Sequence, residues 1–323
     1  MKDVEDVRLL TRSCWCGSAT AEEIGVFGPY EGRTFGLVRC ERCGVLALDP
    51  QPDDAELLRH YSAEYYGSSR RKFVGVGAAL VAWFQGERAR LAARSTPAGG
   101  RVLDVGCGNG GFLLRMKRRG FRVEGTEWTA ASATRVPAEA GVPVHVGDLL
   151  TLDLPERAFD LVTLWHVFEH LRRPDATLQR IARLLKPGAS LLLSLPNAES
   201  IQAARFGTAW FHHDPPRHLF GFGPRSLGDL LRQTGFEVVS VGTFSLEQNP
   251  FGFVQSWLNA RGHPRDRLYS LLKGVSREPL ATRVTDLLLL YALAASALVV
   301  STIESLRGRG ATMTVHARVA AGG

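Results

Sequence analysis

Short apolar runs alternate with amphipathic stretches between residues 101 and 245. Strands are predicted at 101–105, 122–127, 143–146, 159–164, 189–195, 236–244 and 311–319, and helices at 111–119, up to 140, 174–185 and 226–234. Most of these strands are apolar on both faces, which is typical of a mainly parallel sheet covered by helices on both sides. The pattern therefore predicts an α/β, doubly wound, seven-stranded sheet.

The sequence outside this alternation predicts three further regions. Residues 1–50 contain paired cysteines, and Asp-Pro-Gln-Pro at 49–52 predicts a boundary. Residues 51–100 predict a helical lid that ends in a Pro/Gly-rich linker. The sheet domain then occupies 101–323, with a helical insertion at 246–310 before the last strand.

The insertion carries a continuous apolar run, LLLLYALAASALVV at 287–300. As a helix this run would rise about 21 Å, which is short of the roughly 30 Å hydrocarbon core of a bilayer. Three interpretations stay open: a buried helix under a lid, an in-plane membrane helix, or a homodimer contact. Arg283, Arg307 and Arg309 flank the run, so the second interpretation predicts peripheral contact with an anionic membrane through 283–309. A strand at 311–319 that returned to the sheet would exclude a membrane crossing.

Composition and charge exclude several classes of protein. With 45% apolar and 22% charged residues, the chain is neither disordered nor collagen-like. The net charge of +7 is spread unevenly, since residues 1–100 hold 13 basic and 13 acidic residues and 246–323 hold 9 and 5. This mild surplus does not resemble a nucleic-acid-binding stripe, so nucleic acid is not the expected partner. The acidic start, MKDVEDVRLL, lacks the features of a signal peptide, which predicts a cytoplasmic protein, with the inner membrane face as the site of any peripheral contact.

Four of the five cysteines form two pairs near the start of the chain, Cys14 and Cys16 in CWCG, and Cys40 and Cys43 in CERCG. Cys-Gly turns at the ends of a hairpin are how zinc ribbons present four thiolates to one ion. The cysteines therefore predict a structural zinc site, and two unrelated pairs of buried thiols are the alternative.

A glycine turn, Asp104-Val-Gly106-Cys-Gly108-Asn109, follows the first strand of the sheet. The spacing is G-x-G-x-G and not the dinucleotide fingerprint, and an acid precedes the first glycine, which disfavours a pyrophosphate. A carboxylate at this position favours a ligand with a cationic end, such as the ammonium of S-adenosylmethionine. Glu127 ends the second strand, where it is placed to accept from ribose hydroxyls.

Residues at the ends of the next strands complete this predicted cofactor site. Trp128 is placed to stack on adenine, and Asp148, followed by Leu149, is placed to accept from the adenine amino group. Three acids at three successive strand ends are a stronger signal than any single glycine motif.

These segments resemble class I S-adenosylmethionine-dependent methyltransferases in VLDVGCGNGGFL, VEGTEW, GDL, FDLVTLWHVFEHL and LLKPGASLLLSLPN. The segment CERCGVLALDPQP resembles the zinc-binding leader of sugar-modifying and natural-product methyltransferases. The resemblance implies cofactor contacts from Asp104, Gly106, Gly108, Glu127 and Asp148, and closure over the cofactor by Tyr61 and Tyr65. The two tyrosines are equally well interpreted as contacts between a helix and the core.

The fourth strand leads into Trp-His166-Val-Phe-Glu169-His170, beside the expected position of the methyl group. Methyl transfer needs alignment, and a base if the nucleophile is a hydroxyl or a carbon acid. His166 is the candidate base or acceptor contact. Quinone-type O-methyltransferases are similar here, with an acid-x-x-Glu-His pattern associated with a divalent metal. Here the first position is His166, so a His166/Glu169/His170 metal site is a weaker alternative, and a structural Glu169–His170 pair is another.

A second cluster of polar and aromatic residues, WFHHDPPRHLF at 210–220, precedes the sixth strand. Arg217 and His218 are the candidate catalytic residues on the acceptor side, since an imidazole is suited to accept a hydroxyl proton. In the alternative interpretation, Arg217 ties the loop to Asp214 and His218 packs under the sheet edge.

The sequence therefore predicts transfer of a methyl group to oxygen or carbon of a small-molecule acceptor of the sugar, natural-product or quinol-like class. An RNA or protein methyltransferase and a non-catalytic cofactor-binding scaffold are the alternatives, and a nicotinamide dehydrogenase is disfavoured by the glycine spacing and by Asp104. Turnover of S-adenosylmethionine separates the enzyme from the scaffold.

Overall fold

The computed structural model describes residues 7–11, 14–60, 76–138 and 141–320. The chain forms two compact units assembled from separate segments. The first unit comprises Met1–Lys72, Pro196–Leu227 and Gly242–Met313, and the second comprises Phe73–Leu195, Gly228–Val241 and Thr314–Gly323. The boundaries expected at 50 and 100 follow chain order, whereas the units do not: the leader and the insertion belong to the first unit, together with the segment that begins at Pro196.

The second unit is built on a seven-stranded sheet, which confirms the predicted fold. Its strands are β5 (Arg101–Val105), β6 (Arg122–Glu127), β7 (Val144–Val146), β8 (Phe159–Trp165), β9 (Leu185–Pro196), β11 (Phe236–Gly242) and β12 (Thr312–Val319). The order is β11-β12-β9-β8-β5-β6-β7, with parallel pairing of β5 to β6 and β8, of β6 to β7, and of β8 to β9. Because parallel strands end at one edge, the loops after β5, β6, β7 and β8 meet on that edge.

Helices cover this sheet and close its core. They are α2 (Val76–Arg94), α3 (Gly111–Arg118), α4 (Ala130–Ala133), α5 (Pro174–Leu184) and α7 (Pro224–Gln233). Ala89 and Ala92 of α2 pack with Leu113 and Met116 of α3 in one buried cluster that includes Leu161 of β8. Small residues on α2 let it lie close against α3 and the sheet.

Two predicted boundaries in this unit, the helix end at 140 and the strand start at 189, differ from the structure by four residues or more. The helix expected to run to residue 140 ends at Ala133. Val136 is buried and Pro137 disfavours helical backbone at the residue before it, so the chain turns there instead. The helix expected at 174–185 ends at Leu184, and β9 begins at Leu185 and not at residue 189. A register shift between Phe159 and Leu161 of β8 accommodates Pro187 and Gly188 within β9.

The first unit contains an antiparallel sheet in the order β1-β2-β3-β4-β10. Its strands are β1 (Val7–Leu9), β2 (Thr20–Tyr30), β3 (Arg33–Cys40), β4 (Leu46–Asp49) and β10 (Phe220–Gly221). Its helices are α1 (Asp54–His60), α6 (Ile201–Phe206), α8 (Asn249–Asn259), α9 (Arg267–Leu272) and α10 (Leu280–Leu306). The leader is therefore a sheet of four strands, wider than a ribbon hairpin, and it is completed by two residues from far along the chain.

The insertion is helical as predicted. The chain leaves the seven-stranded sheet after Gly242, forms α8, α9 and α10, and returns as β12 between β9 and β11. Val254 and Leu258 of α8, Leu268 of α9 and Ala297 of α10 form one buried cluster. The apolar run at 287–300 is thus the middle of a 27-residue helix.

Candidate active site and cysteine cluster

The glycine loop after β5 has the backbone that a close ligand approach requires. Gly106 and Gly108 have φ values of 69° and 59°, in the left-handed region that disfavours other residues. The amide of Gly106 donates to the carbonyl of Thr126 at 2.9 Å. A Cβ on Gly106 would lie 2.6 Å from a methyl of Val167, whereas a Cβ on Gly108 would meet nothing within 4 Å. The loop is therefore packed against the end of β8 on one side and presents open space at Gly108.

Asp104, at the end of β5, is almost completely buried. It is the register partner of Thr163 in β8, whose hydroxyl donates to Asp104 Oδ1 at 2.6 Å. Burial raises the pKa of Asp104 to about 7, and the Thr163 hydroxyl and the charge of Arg88 offset part of that rise. The site thus holds a carboxyl group that gives up its proton most easily when a cation lies against it.

The predicted partners of Asp104 lie at the ends of β6 and β7. Glu127 is buried, and its Oε1 accepts from the amide of Gly108 at 2.5 Å, which fixes the carboxylate and the glycine loop together. Asp148 is exposed, and its Oδ1 accepts from the Leu150 amide at 2.9 Å. Trp128 is 40% exposed, and its stacking on adenine stays a prediction.

The other predicted cofactor residues divide into three cases. Asn109 Oδ1 accepts from the Gly111 amide at 3.2 Å, which closes the glycine turn. Leu149 is buried. Tyr61 and Tyr65 lie outside the described residues, so their role stays a prediction.

His166 occupies an unusual position directly after β8. Its φ of 55° is rare for a residue with a side chain, and its amide donates to the carbonyl of Ser194 in β9 at 2.7 Å. The ring Nδ1 lies 3.5 Å from Oε1 of Glu169, which is buried in the 3₁₀ turn Phe168–His170. A strained residue held by its neighbours is a mark of functional sites.

The structure does not bring His166, Glu169 and His170 together in the way that the predicted metal site requires. Positions 166, 169 and 170 were expected on one face of a helix, but His166 lies outside the 3₁₀ turn. Within the described part of the chain, these three side chains do not bring one ligand atom each within 4.8 Å of the others. The contact of His166 is with Glu169 instead.

Arg217 and His218 lie in the first unit, in the loop that precedes β10. The guanidinium of Arg217 binds the carboxylate of Asp214, with Nε 3.0 Å from Oδ2. Nδ1 of His218 donates to the carbonyl of His212 at 2.8 Å, and Nε2 lies 3.7 Å from Asp214. The contact between Arg217 and Asp214 is the one expected in the alternative interpretation, in which Arg217 ties the loop to Asp214. A catalytic role for Arg217 and His218 stays a prediction.

Comparisons with known proteins show which family the chain belongs to. A family model described as a methyltransferase domain matches residues 82–241. A ubiquinone biosynthesis O-methyltransferase of Pseudomonas aeruginosa is 31% identical over 169 residues, which cover 49% of this chain and 72% of the relative. The chain belongs to the S-adenosylmethionine-dependent methyltransferases. A ubiquinone biosynthesis O-methyltransferase of Ralstonia nicotianae is 32% identical over 166 residues, which cover 47% of this chain and 68% of the relative.

Solved structures show the same fold. A chain of the complex between the Haloferax volcanii Trm112 methyltransferase activator and a methyltransferase matches with a TM-score of 0.52 and 19% identity, covering 80% of this methyltransferase and 97% of that chain. A structure described as a sarcosine dimethylglycine methyltransferase from Galdieria sulphuraria matches with a TM-score of 0.50 and 13% identity, covering 83% and 99%. At these identities the likeness concerns the fold.

The residues of the methyltransferase fit S-adenosylmethionine as its methyl donor. The buried carboxyl of Asp104 suits an ammonium group, and the open space at Gly108 lets the backbone approach a ligand. Glu127 is already oriented by the loop amide. The bound cofactor supplies an electrophilic methyl group, and the protein supplies the position and the charges around it.

Sequence reasoning missed Thr163 and Arg88. Thr163 is a single hydroxyl in the apolar strand β8, and a polar residue in a run that is otherwise buried was a usable signal. Arg88 lies on α2, and its guanidinium is 5.6 Å from the centre of the Trp165 ring. No pattern in the sequence connects this helix to Asp104, because the contact depends on how α2 packs.

The four predicted cysteines of the methyltransferase come together in the first unit, with one sulfur atom from each within 4.8 Å of the others. Sγ of Cys14 is 3.6 Å from that of Cys43, and Sγ of Cys16 is 3.5 Å from that of Cys40. The hydrogen bond between the first two thiols lowers the pKa of Cys43 to about 6 and raises that of Cys14. Four thiolates at zinc–sulfur distances of about 2.3 Å in a tetrahedron would be about 3.8 Å apart. The cluster therefore has the dimensions of a zinc site.

Proposed function

We propose that this methyltransferase transfers the methyl group of S-adenosylmethionine to an oxygen or carbon atom of a small-molecule acceptor, with His166 as the base. The observation that carries the proposal is the strained backbone of His166 beside the glycine loop, with its ring directed at the buried carboxylate of Glu169. The O-methyltransferases of ubiquinone biosynthesis among its relatives support a phenolic hydroxyl as the first acceptor to test.

The geometry of His166 suits removal of an acceptor proton. A carboxylate beside Nδ1 holds the ring proton on that nitrogen, which leaves Nε2 as the acceptor. Val167, the next residue, packs against Gly106, so the position of His166 is tied to that of the glycine loop. An acceptor proton taken by Nε2 leaves the oxygen or carbon with the electron pair that attacks the methyl group in line.

Replacing His166 with glutamine is expected to lower kcat for methyl transfer to a phenolic acceptor by about 100-fold, because loss of a general base costs at least that much. The dissociation constant of S-adenosylmethionine, measured by calorimetry, is expected to stay the same. His145→Gln is the matched control, since His145 lies within β7 and pairs with Glu124 at 3.0 Å. Unchanged kcat in H166Q would remove His166 from the mechanism.

The acceptor class has a separate test with the wild-type enzyme. Labelled methyl transfer is measured with phenols, with sugars, with RNA and with a mixture of proteins as acceptors. Transfer to phenols or sugars supports the proposal. Transfer to RNA or protein alone, or binding of S-adenosylmethionine with no transfer to any fraction of a metabolite extract, contradicts it.

We also propose that Cys14, Cys16, Cys40 and Cys43 hold a structural zinc ion. Purified protein is expected to retain about one zinc per chain, as measured by mass spectrometry of the metal after dialysis. Cys40→Ser is expected to lose this zinc. Cys107→Ser is the control, because Cys107 is buried in the second unit and its replacement should leave the zinc content unchanged. Equal metal content in C40S and wild type would contradict the assignment.

A further inference from the structure

The helix α10 of the insertion exposes large apolar side chains and buries polar ones, although Leu287, Leu290 and Leu293 also pack against the cluster of the insertion. Its buried residues are Asp286, Ala297, Ser301 and Glu304, so three of the four are polar. Eight large apolar side chains of the helix are exposed and form a stripe along one side, among them Leu280, Val284, Leu288, Tyr291, Val299 and Leu306. In a protein surrounded by water, a surface helix normally presents the opposite pattern.

The stripe is continuous because of its spacing. Steps of three, four, seven and eight residues return to the same side of an α-helix. The helix has 27 residues and a length of about 40 Å. It is the one helix among the described residues that is long and apolar enough to cross a membrane, yet only 17% of its most apolar window is buried. A core helix of a soluble protein would be mostly covered; here packing within the described residues covers Leu287, Leu290 and Leu293 but not the exposed stripe.

The polar side of α10 is attached to the first unit at both ends. Asp286, near its start, binds Arg267 of α9 at 2.5 Å. Glu304, near its end, accepts from Gln202 of α6 at 2.8 Å, and Ser305 donates to the carbonyl of Thr243 at 3.0 Å. Because both ends are fixed to the same unit, the helix cannot span a bilayer, and its stripe faces outward along its whole length.

The charges on α10 indicate what kind of surface the stripe contacts. Its two acids, Asp286 and Glu304, are buried, whereas the arginines beside the stripe, Arg283 and Arg307, are exposed. Arg309, two residues further along, is also exposed. An exposed surface that combines an apolar stripe with cations and lacks acids complements an anionic lipid surface, since each cation near such a surface is attracted to it.

We propose that α10 is an in-plane membrane-docking helix, whose apolar stripe enters the outer part of an anionic bilayer while its arginines contact the lipid phosphates. This inference depends on α10 alone and does not rest on the proposed acceptor. It assigns to the insertion a role that the methyl-transfer site does not require.

Flotation of the full-length protein with vesicles tests this docking. Vesicles of phosphatidylcholine with phosphatidylglycerol are expected to carry the wild-type protein upward, and vesicles of phosphatidylcholine alone to carry less. The double variant Leu288→Gln/Val299→Gln is expected to lose at least about tenfold in partitioning, because binding scales with the apolar area inserted. Glutamine leaves the charge unchanged, and both positions are exposed, so the fold is preserved.

A second variant tests the contribution of the arginines to vesicle binding, and a third is a control for the loss of exposed apolar side chains. Arg283→Gln/Arg307→Gln is expected to weaken binding to the anionic vesicles several-fold and to leave binding to phosphatidylcholine unchanged. Leu58→Gln/Val239→Gln is the matched control, since these side chains are 44% and 50% exposed but lie on α1 and β11. The control is expected to float like the wild type.

Three outcomes would overturn the proposal. The wild-type protein does not float with anionic vesicles, or L288Q/V299Q floats as well as the wild type does. In the third, sedimentation shows a dimer that L288Q/V299Q dissociates, while no form binds vesicles. That result would assign the stripe to a second copy of this chain.

Discussion

Asp104→Asn is expected to weaken the binding of S-adenosylmethionine by about 100-fold, because a hydrogen bond to a buried charged partner contributes up to about 3 kcal/mol. Asparagine has nearly the same shape and can still accept from the Thr163 hydroxyl at the position of Oδ1. The loss therefore reports the charge of the carboxylate. Calorimetry with S-adenosylmethionine and with its demethylated product measures the effect, and both should weaken, since both carry the ammonium group.

The charge of Asp104 also predicts how the affinity for S-adenosylmethionine depends on pH. In the ligand-free protein the pKa of Asp104 is raised to about 7 by burial, so a bound cation must displace a proton below that pH. The affinity of the wild type should rise with pH up to about 7 and then level off, with one proton released on binding. The affinity of D104N should not follow this profile. Asp160→Asn is the control, because Asp160 accepts from the amide of Arg101 at the opposite end of the sheet.

Asp104 also affects stability in a direction that can be worked out. Its pKa is raised from about 3.9 in the unfolded chain, so the neutral form is the favoured one in the folded protein. This contribution is fully present below about pH 4 and is lost as the pH rises through about 7, at a cost of up to about 4 kcal/mol. Ligand-free D104N should therefore be more stable than the wild type in denaturant unfolding, and more so near pH 8 than near pH 5. If D104N bound the cofactor normally, the assignment of Asp104 would be wrong.

The cofactor side of the site could be predicted from the sequence because its signals are local. β5 and β6 were predicted residue for residue: β5 lies between Gly100 and the glycine turn, and β6 begins shortly after Gly120. Asp104 and Glu127 end these strands, so parallel pairing alone brings them to one edge. Their partners were not predictable in the same way. Thr163 meets Asp104 through the register of β8 against β5, which depends on the packed sheet.

The features that escaped prediction depend on distant contacts. Strand β10 has two residues, Phe220 and Gly221, and its existence depends on pairing with β4, which lies more than 150 residues earlier. The left-handed backbone of His166 accompanies a hydrogen bond from its amide to Ser194 of the next strand, and such a contact is not visible in the sequence. The apolar run at 287–300 predicted a helix but not which side of it is buried. That side is determined by contacts of Asp286 and Glu304, which lie before and after the run.

Asp286→Ala is expected to lower the free energy of unfolding of the first unit by about 3–5 kcal/mol, because it leaves the guanidinium of Arg267 buried without its partner. The two side chains are 1% and 13% exposed, so water screens the charges poorly. Hydrogen exchange of peptides from α8 to α10 measures the effect in this unit without assuming a single transition for the whole chain. Asp229→Ala is the control, since the Arg232–Asp229 pair is exposed and should contribute less than about 1 kcal/mol.

The double variant Arg267→Met/Asp286→Leu separates the stability of the ion pair from its role in orienting α10. Replacement of a buried pair by apolar residues of similar volume is often neutral or stabilising, so this variant should recover most of the loss in D286A. If it is as destabilised as D286A, the pair itself stabilises the fold. If it recovers, the ion pair is retained for a different reason: Asp286 fixes the start of α10 against α9 and so determines which side of the helix faces outward. Because this half of α10 carries leucines on its packed side as well as on its exposed side, apolar contacts alone do not specify its orientation, which explains why Asp286 is kept inside.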